Sequence, residues 1–501
     1  MTRPTPVTPI DAEHRAVLDH LGGAKVTVDE ALCRRLDEVC DTVSTGEEDR
    51  AEAGRDWWPL AISWAAAGQV PARPAVVAKP TDTVQVAAVL ALCHQARVPV
   101  TAAGGRSGVC GGSVPLFGGV ALDLCGLTGL ADLDAESLVA DLRAGTFGPE
   151  VEAGLRRHAL TLGHWPQSMD LSTVGGWLAC RGAGQYSNRY GKIEDMVIGL
   201  EVVLADGRVV RTGGSGPRSA TGPDLTQMFV GSEGVLGVIT EARFRVHPVP
   251  EAEDRRAFGF PSFTEGLDAC RRILRRGCAP AVLRLYDATE SARSFEHPDT
   301  NVLIVLDEAD PALLDATLAV VDDECRDAST LDVGLVARWL EHRNDVSALA
   351  PLWRSGIVVD TAEVAARWSV LPDLYRAVLD ALQQVEGTLV ASSHQSHAYT
   401  DGACLYFTFA GRPAEDGSEP EAGAAHYYER AWDEVTRVTL EAGGAISHHH
   451  GIGLNRGRFL GEALGGGFAV LSALKRALDP HGILNPGKLG LESSFGPVAW
   501  P

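Results

Sequence analysis

The stretch that most limits how this chain can fold runs from Ala103 to Gly112, where five glycines fall in nine residues. A glycine inside a helix or strand costs roughly 0.5–1 kcal/mol relative to alanine, so a run this dense reads as a loop. It follows the apolar Val98-Pro99-Val100-Thr101 and precedes the strand-like Gly119-Val120-Ala121-Leu122-Asp123-Leu124. A backbone this bare can approach a ligand closely and aim successive N–H groups at an anion, for which a diphosphate is the natural tenant. A glycine-rich hairpin loop without a ligand would have the same composition. The run is not a Walker A loop, because no Gly-Lys-Ser/Thr follows, and it does not open a helix as a dinucleotide fingerprint does.

Two further glycine-punctuated segments share this texture. Pro166-Gln167-Ser168-Met169-Asp170-Leu171-Ser172-Thr173-Val174-Gly175-Gly176-Trp177 combines small residues with hydroxyls able to donate to phosphate or ring oxygens. Phe229 to Thr240, with Gly231, Gly234 and Gly237, runs into a strand. Between the loops the pattern alternates strand and helix. Asp82 or Thr83 can cap a helix through Val84, Val86, Val89 and Leu92, and Ala205-Asp206-Gly207 joins two strands as a hairpin.

At 501 residues the chain exceeds one simple core, and two or three domains are expected. With 44 basic against 66 acidic residues and no dense Lys/Arg block, general binding to nucleic acid or an anionic membrane is not expected. The ten cysteines form no Cys-x-x-Cys pair and mostly sit among aliphatic residues, so buried free thiols in a reducing compartment are expected. No apolar run of about 18 residues interrupts the chain, and the reading is a cytoplasmic protein.

The C-terminal half carries fewer motifs. Ala281 to Asp287 places Arg284 inside an otherwise apolar strand, where burial requires pairing of the Asp287 kind or a ligand anion. Gly402 to Phe409 alternates as a strand, so Tyr406 is either a phenol delivered from a rigid element or part of an aromatic ladder with Phe407 and Phe409. Ser447-His448-His449-His450-Gly451-Ile452-Gly453 reads as a strand end entering a tight turn. Extended backbone alternates faces, so His448 and His450 would share one side with His449 opposite. Three metal ligands from three successive residues are then implausible, which leaves catalysis, a metal with other partners, and structural burial all open.

The ordered segments Pro74–Asp123, Pro166–Asp195, Ile198–Gly207 and Gly231–Thr240 resemble the FAD-binding domain of the vanillyl-alcohol oxidase superfamily. The resemblance implies an α+β fold: a PCMH-type FAD-binding domain of two α+β subdomains, plus an α+β cap with a mainly antiparallel sheet. The division expected is 1–70, an N-terminal helical segment; 71–250, the FAD-binding domain; 251–440, the cap; and 441–501, a segment returning the histidines to the flavin. By the same resemblance Gly104, Gly105, Arg106, Ser107, Gly108 and Gly112 cradle the diphosphate. Pro166, Asp170, Ser172, Thr173, Gly176 and Trp177 line the second loop, Ile193, Glu194 and Ile239 follow the rest of the dinucleotide, and Asn485 and Lys488 sit close to the flavin. Arg106-Ser107 and Cys110 occupy the region where some members attach FAD through a histidine, so FAD is expected to bind non-covalently. Trp339 to Asp345, with Thr361, Glu363 and Trp368, would add a second polar set facing the flavin.

Two branches of the superfamily fit the C-terminal half. The metal-assisted 2-hydroxyacid dehydrogenases pair a His-x-x-x-Asp-Gly-Asn-x-His segment with Ser-x-Glu-His-Gly. Here His397 and Asp401-Gly402 are kept, but Tyr406 replaces the later histidine and His449 the glutamate, which argues for no metal. Those departures resemble the alkylglycerone-phosphate synthases, whose Ser-His-His-His-Gly motif pairs with a Gly-Ala-Cys-x-Tyr-Phe strand. In that family flavin N5 attacks a substrate carbon, a fatty acid leaves and a fatty alcohol replaces it, with no net redox change. The resemblance gives Tyr406 proton exchange with substrate, His448, His449 and His450 acid/base and hydrogen-bonding roles, and Arg284 an anionic group or the cofactor. An FAD-linked oxidase or dehydrogenase of a small alcohol or 2-hydroxy acid is the alternative, and a non-catalytic flavin-binding protein is a third reading. A small-molecule or lipid-phosphate substrate, at most peripheral membrane contact and a homodimer are compatible with all of these.

Overall fold

The strand leaving Val100–Ala103 feeds directly into the glycine-rich loop, and its neighbours fix where that loop lies. In this computed structural model, which describes residues 9–10, 17–214, 216–345, 349–412, 420–498 and 500, a four-stranded sheet runs Val43–Ser44, Val76–Ala78, Val120–Asp123, Val100–Ala103. The last three strands are parallel. Helix Thr83–Ala96 covers them: Asp82 caps it by accepting from Gln85 N, and Val86, Val89, Leu90 and Cys93 are buried with Val76, Val100, Val120 and Leu122. The loop therefore leaves the carboxyl end of a parallel strand, where open α/β sheets place ligands.

A second sheet is antiparallel, in the order Val209–Arg211, Val197–Val203, Val238–Arg245, Val139–Arg143, Leu130–Asp134. Its first two strands are the expected hairpin, closed by Gly207 at a φ of 87°. Helix Val174–Cys180 packs on this sheet through Trp177 and Leu178 and carries the second glycine segment at its start. The two loops touch backbone to backbone. A Cβ on Gly105 would lie 1.9 Å from Leu171 O, and one on Gly104 would lie 2.1 Å from Thr173 Oγ1.

The third sheet has seven strands, all antiparallel, in the order Ser329–Thr330, Ala252–Phe260, Asn301–Ala309, Val282–Tyr286, Thr388–Ala398, Gly402–Gly411, Val358–Arg367. One face is apolar. Leu283, Leu285, Leu405, Phe407 and Phe409 bury against helices Phe263–Arg275, Pro311–Glu324, Leu371–Gln384 and Pro420–Glu441. The other face turns toward the loops of the N-terminal half. Arg189 donates twice to the buried Asp307, at 2.8 and 2.6 Å, and Tyr190 donates to Glu308 at 2.6 Å, tying the two halves together.

The N-terminal segment carries helices Glu30–Val39, Glu47–Glu52 and Pro59–Ala66, with the short strand Val43–Ser44 between the first two and the strands Leu18–Asp19 and Gln69–Val70 on either side; residues 1–8 and 11–16 lie outside the described residues. All ten cysteines are free thiols. Among the described residues no helix is long and apolar enough to cross a membrane.

Gly105→Ala should lower stability by about 1–3 kcal/mol, because the added methyl meets a backbone carbonyl that cannot rotate away. Denaturant unfolding measures this, and a variant as stable as the parent would show that the two loops do not pack as described.

Candidate active site

Strand register lines up four side chains in one row. Tyr286 pairs with His394, His394 with Tyr406, and Tyr406 with Glu363, each on the adjacent strand. Alternation sends Phe407 and Phe409 into the apolar core, leaving Tyr406 on the opposite face with His394 stacked between Tyr286 and Tyr406 at 5.1 and 4.8 Å. The phenol of Tyr406 accepts from Thr361 Oγ1 at 3.0 Å. A register shift at Gln395–His397 brings both Ser396 and His397 to the cavity side, a common use of an irregularity beside a site.

His394 and Tyr406 of this row, with the loops, enclose a cavity of about 500 Å³. The glycine-rich loop, the second loop and Ser232–Ile239 form one wall, and Arg284, Trp339, Thr361, His394, Tyr406, His449 and His450 form the other. The loops suit a dinucleotide. Among the described residues the amides of Ser107, Gly108 and Val109 have no acceptor, and a Cβ on Gly108 would meet only Asp56 Oδ2 at 3.8 Å. Unclaimed amides beside an open glycine are what a diphosphate requires. Residues Gly104–Gly108 and Gly112 would hold it there.

The histidine segment is shaped by one carboxylate. Glu363 Oε1 accepts from Ser447 Oγ at 2.8 Å, from the amides of His448, His449 and His450 at 3.3, 3.2 and 2.8 Å, and from Arg456 Nη1 at 2.8 Å. Its Oε2 takes Arg456 Nη2 and lies 3.0 Å from His450 Nδ1. Burial alone would push this carboxyl up; Arg456 and His450 reverse that and hold it well below the usual range. Glu233, from the N-terminal half, grips the next turn by accepting from the amides of Ile452 and Gly453 at 2.6 and 2.8 Å.

Wrapping around Glu363 makes the segment a turn rather than a strand end, and the expected alternation fails. His449 and His450 line the cavity, whereas His448 turns away toward Tyr399 Oη at 2.9 Å. The pair facing the cavity is therefore His449 and His450, not His448 and His450.

Arg284 is buried, yet among the described residues it makes no ion pair with a carboxylate. The Asp287 pairing considered from sequence is absent, because Asp287 caps helix Ala288–Phe295 and accepts from Ser393 N at 2.7 Å. Instead Arg284 Nη2 lies 2.6 Å from His394 Nε2, and His394 Nδ1 lies 2.8 Å from Glu290 Oε2. A guanidinium only donates, so His394 Nε2 accepts, and its proton sits on Nδ1 facing Glu290. Burial pulls the His394 imidazole below its ordinary range against the pull of Glu290, with Arg284 adding to the fall. Burial works against ionisation of Glu290, but His394, Arg293 and Thr408 outweigh it and bring that carboxyl down to about 2. Arg343 comes to the same wall over the rings of Tyr186 and Trp339, at 5.2 and 5.6 Å.

Of the residues expected at the cofactor, Gly104, Gly105, Arg106, Ser107, Gly108, Gly112, Pro166, Ser172, Thr173, Gly176, Trp177 and Ile239 line the cavity. Five do not reach its wall. Asp170 is exposed, Ile193 is in the core, and Glu194 pairs with Arg181 at 3.1 Å. Asn485 and Lys488 support the first loop from behind, donating to Gly112 O and Val114 O at 2.9 and 2.7 Å. Tyr406, Arg284, His449 and His450 line the cavity and His448 does not. Sequence reasoning passed over Asp56, Glu233 and His394 as wall residues. His394 carried a usable signal, since its register opposite Tyr406 follows from the two alternating strands around the Tyr399–Asp401 turn.

Cys110 also lines the cavity, but burial pushes its thiol well above the ordinary range, so it stays a thiol, with Sγ 3.7 Å from Gly451 O.

Acidification should destabilise the fold in two steps. Burial holds the His448 imidazole down to about 4, so unfolding takes up a proton and stability falls as pH drops from the ordinary 6.5 toward 4. Glu290, held down to about 2, adds a loss as pH falls from 4.5 toward that value. Melting temperature against pH reads both; Glu290→Gln should flatten only the lower limb, and a flat profile between pH 6.5 and 4 would contradict the burial of the imidazoles.

Residues 74–213 match the FAD binding domain family, and residues 249–489 match the C-terminal domain of FAD linked oxidases. The chain is 31% identical over 432 residues to the uncharacterized FAD-linked oxidoreductase YgcU of Escherichia coli (strain K12), covering 83% of this chain and 89% of that protein. It is 29% identical to an alkyldihydroxyacetonephosphate synthase of Dictyostelium discoideum, over 84% of this chain and 74% of that one. A solved alkyldihydroxyacetonephosphate synthase superposes with a TM-score of 0.79 at 26% identity, covering 98% of this chain and 90% of that chain. The chain belongs to the FAD-linked oxidoreductases with a PCMH-type FAD-binding domain, and its cofactor is FAD.

Proposed function

We propose that this flavoprotein acts as the alkylglycerone-phosphate synthases do, exchanging an acyl for an alkyl group on a dihydroxyacetone-phosphate-type substrate without net oxidation. The observation that carries the reading is Tyr406, a phenol on a rigid strand, facing the cavity beside Arg284, which among the described residues makes no ion pair with a carboxylate. Bound FAD supplies the nucleophilic nitrogen such an exchange uses.

The residues of the chain do the rest. Burial raises the Tyr406 phenol, so it keeps its proton at neutral pH; with Thr361 donating to its oxygen, that proton is free to point into the cavity. A phenol held this way can give a proton to a leaving oxygen and take one back from a substrate carbon. Arg284, oriented by His394 and Tyr286, supplies the fixed positive charge that a phosphate-type group needs. His450 is fixed by Glu363 and lies 5.6 Å from Tyr406, ring centre to ring centre, placing an imidazole beside the phenol. We further place the protein in the cytoplasm, with the four-part division at residues 70, 250 and 440.

A second reading, net oxidation of a small alcohol or 2-hydroxy acid, is favoured by the oxidoreductase name of the Escherichia coli relative. Anaerobic titration separates the two. The redox-neutral reading expects no bleaching of the flavin by alcohols or hydroxy acids, and exchange of a labelled fatty acid or alcohol that falls roughly 100-fold or more in Tyr406→Phe. Bleaching accompanied by an oxidised product would overturn it, and protein that takes up no FAD would overturn both.

A further inference from the structure

We propose that Asp56 is a further FAD-binding residue, a carboxyl that keeps its proton and donates a hydrogen bond to the diphosphate, so that the cofactor is held tightly only while Asp56 is neutral. The inference rests on FAD as the cofactor and is independent of the substrate reading above.

Asp56 comes from the N-terminal segment yet lies on the glycine-rich loop. Trp57 N donates to Gly108 O at 2.9 Å, which seats residues 56–58 along that loop. Trp58 is fully buried; its indole donates to Tyr428 Oη at 3.1 Å, and its amide donates to Asp56 Oδ1 at 3.1 Å. One carboxyl oxygen is thereby claimed. The other, Oδ2, is buried with no hydrogen-bond partner among the described residues, on a side chain that is 3% exposed and lines the cavity. A Cβ on Gly108 would meet this oxygen at 3.8 Å and nothing nearer, so Oδ2 stands over the loop whose Ser107, Gly108 and Val109 amides have no acceptor among the described residues.

An ionised carboxylate only accepts and would repel a diphosphate, whereas a carboxylic acid donates one hydrogen bond from the same atom. The surroundings favour the acid. Burial pushes the Asp56 carboxyl up to about 7, against the Trp58 and Ser113 amides and the charge of Lys488. Lys488, whose Nζ donates to Val114 O at 2.7 Å, is itself brought down to about 7 by burial, against the pull of Asp56 and Glu233 and with Lys25 adding to the fall. Of the other charged groups around it, Arg55 pairs with Glu52 at 2.9 Å and Arg106 with Asp123 at 3.7 Å. Glu233 accepts from the Ile452 and Gly453 amides, Asp360 accepts from Tyr428 and Trp432, and the Cys110 thiol stays neutral. A bound diphosphate adds negative charge beside Oδ2 and raises the carboxyl further. Binding and the proton are therefore linked. Below about pH 7 the acid is already formed and affinity is level; above it a proton must be taken up with the cofactor, and affinity falls about tenfold per pH unit.

The test dilutes the FAD-loaded protein into buffers between about pH 6 and 9 and reads the FAD released at equilibrium from free-flavin fluorescence. The parent's dissociation constant should rise about tenfold per unit above about pH 7. Asp56→Asn can still accept from Trp58 N and keeps an N–H donor but does not ionise, so its affinity should be level throughout. Asp56→Leu has no donor and should bind about 10–100-fold more weakly at the acid end, again with no slope. Melting temperature checks that each variant is folded. A level profile in the parent would overturn the assignment, and so would a slope that survives in either folded variant, since that slope would belong to Lys488. Infrared difference spectra of the parent, with carbon-13 in its aspartates, decide without a variant. At about pH 8 the FAD-loaded state should show a carboxylic-acid band that the FAD-released state lacks, and absence of that band would overturn the assignment.

Discussion

The site depends on burying the Glu363 carboxylate. Taking such a charge out of water costs several kcal/mol, and only a full set of partners offsets that. The chain supplies two guanidinium nitrogens, an imidazole, a hydroxyl and three amides. The amides belong to three successive histidines, so satisfying the carboxylate decides where all three rings point. Glu233 does the same for the following two amides from the other half of the molecule. Residues 447–453 are thus clamped between two carboxylates, one beside each wall of the cavity.

From this follows the electrical character of the cavity. Its phenol and the His449 imidazole are driven toward their neutral forms, and Arg284 and Arg343 bring guanidinium groups to a lining that also carries the carboxyl groups of Glu233, Asp345 and Asp360. Neutral acids and bases beside fixed guanidinium groups suit proton transfer on an anionic substrate. They suit it whether or not electrons are finally passed on, which is why both a redox-neutral exchange and an oxidation are chemically at home here.

Much of this was legible in the sequence because it rests on local patterns. The glycine runs marked both loops. The alternation of Gly402–Phe409 divided Tyr406 from Phe407 and Phe409, and the buried Arg284 announced that something must answer its charge. What was not legible came from long-range pairing. Asn485 and Lys488 lie next to the first loop yet behind it, a difference no motif carries. The orientation of the histidines was misread because local spacing suggested a strand, whereas Glu363, more than 80 residues earlier, bends the backbone. His394 escaped notice because its place opposite Tyr406 is a fact of register rather than of composition.

The central claim is that the two glycine loops and the strand face carrying His394 and Tyr406 enclose one FAD site with the phenol on its reacting side. A crystal structure of the FAD complex tests it most directly. The account predicts the diphosphate on the Gly104–Gly112 amides and the isoalloxazine ring between the second loop and that strand face, with Tyr406 facing it. A ring bound elsewhere, with Tyr406 buried away from it, would contradict the account.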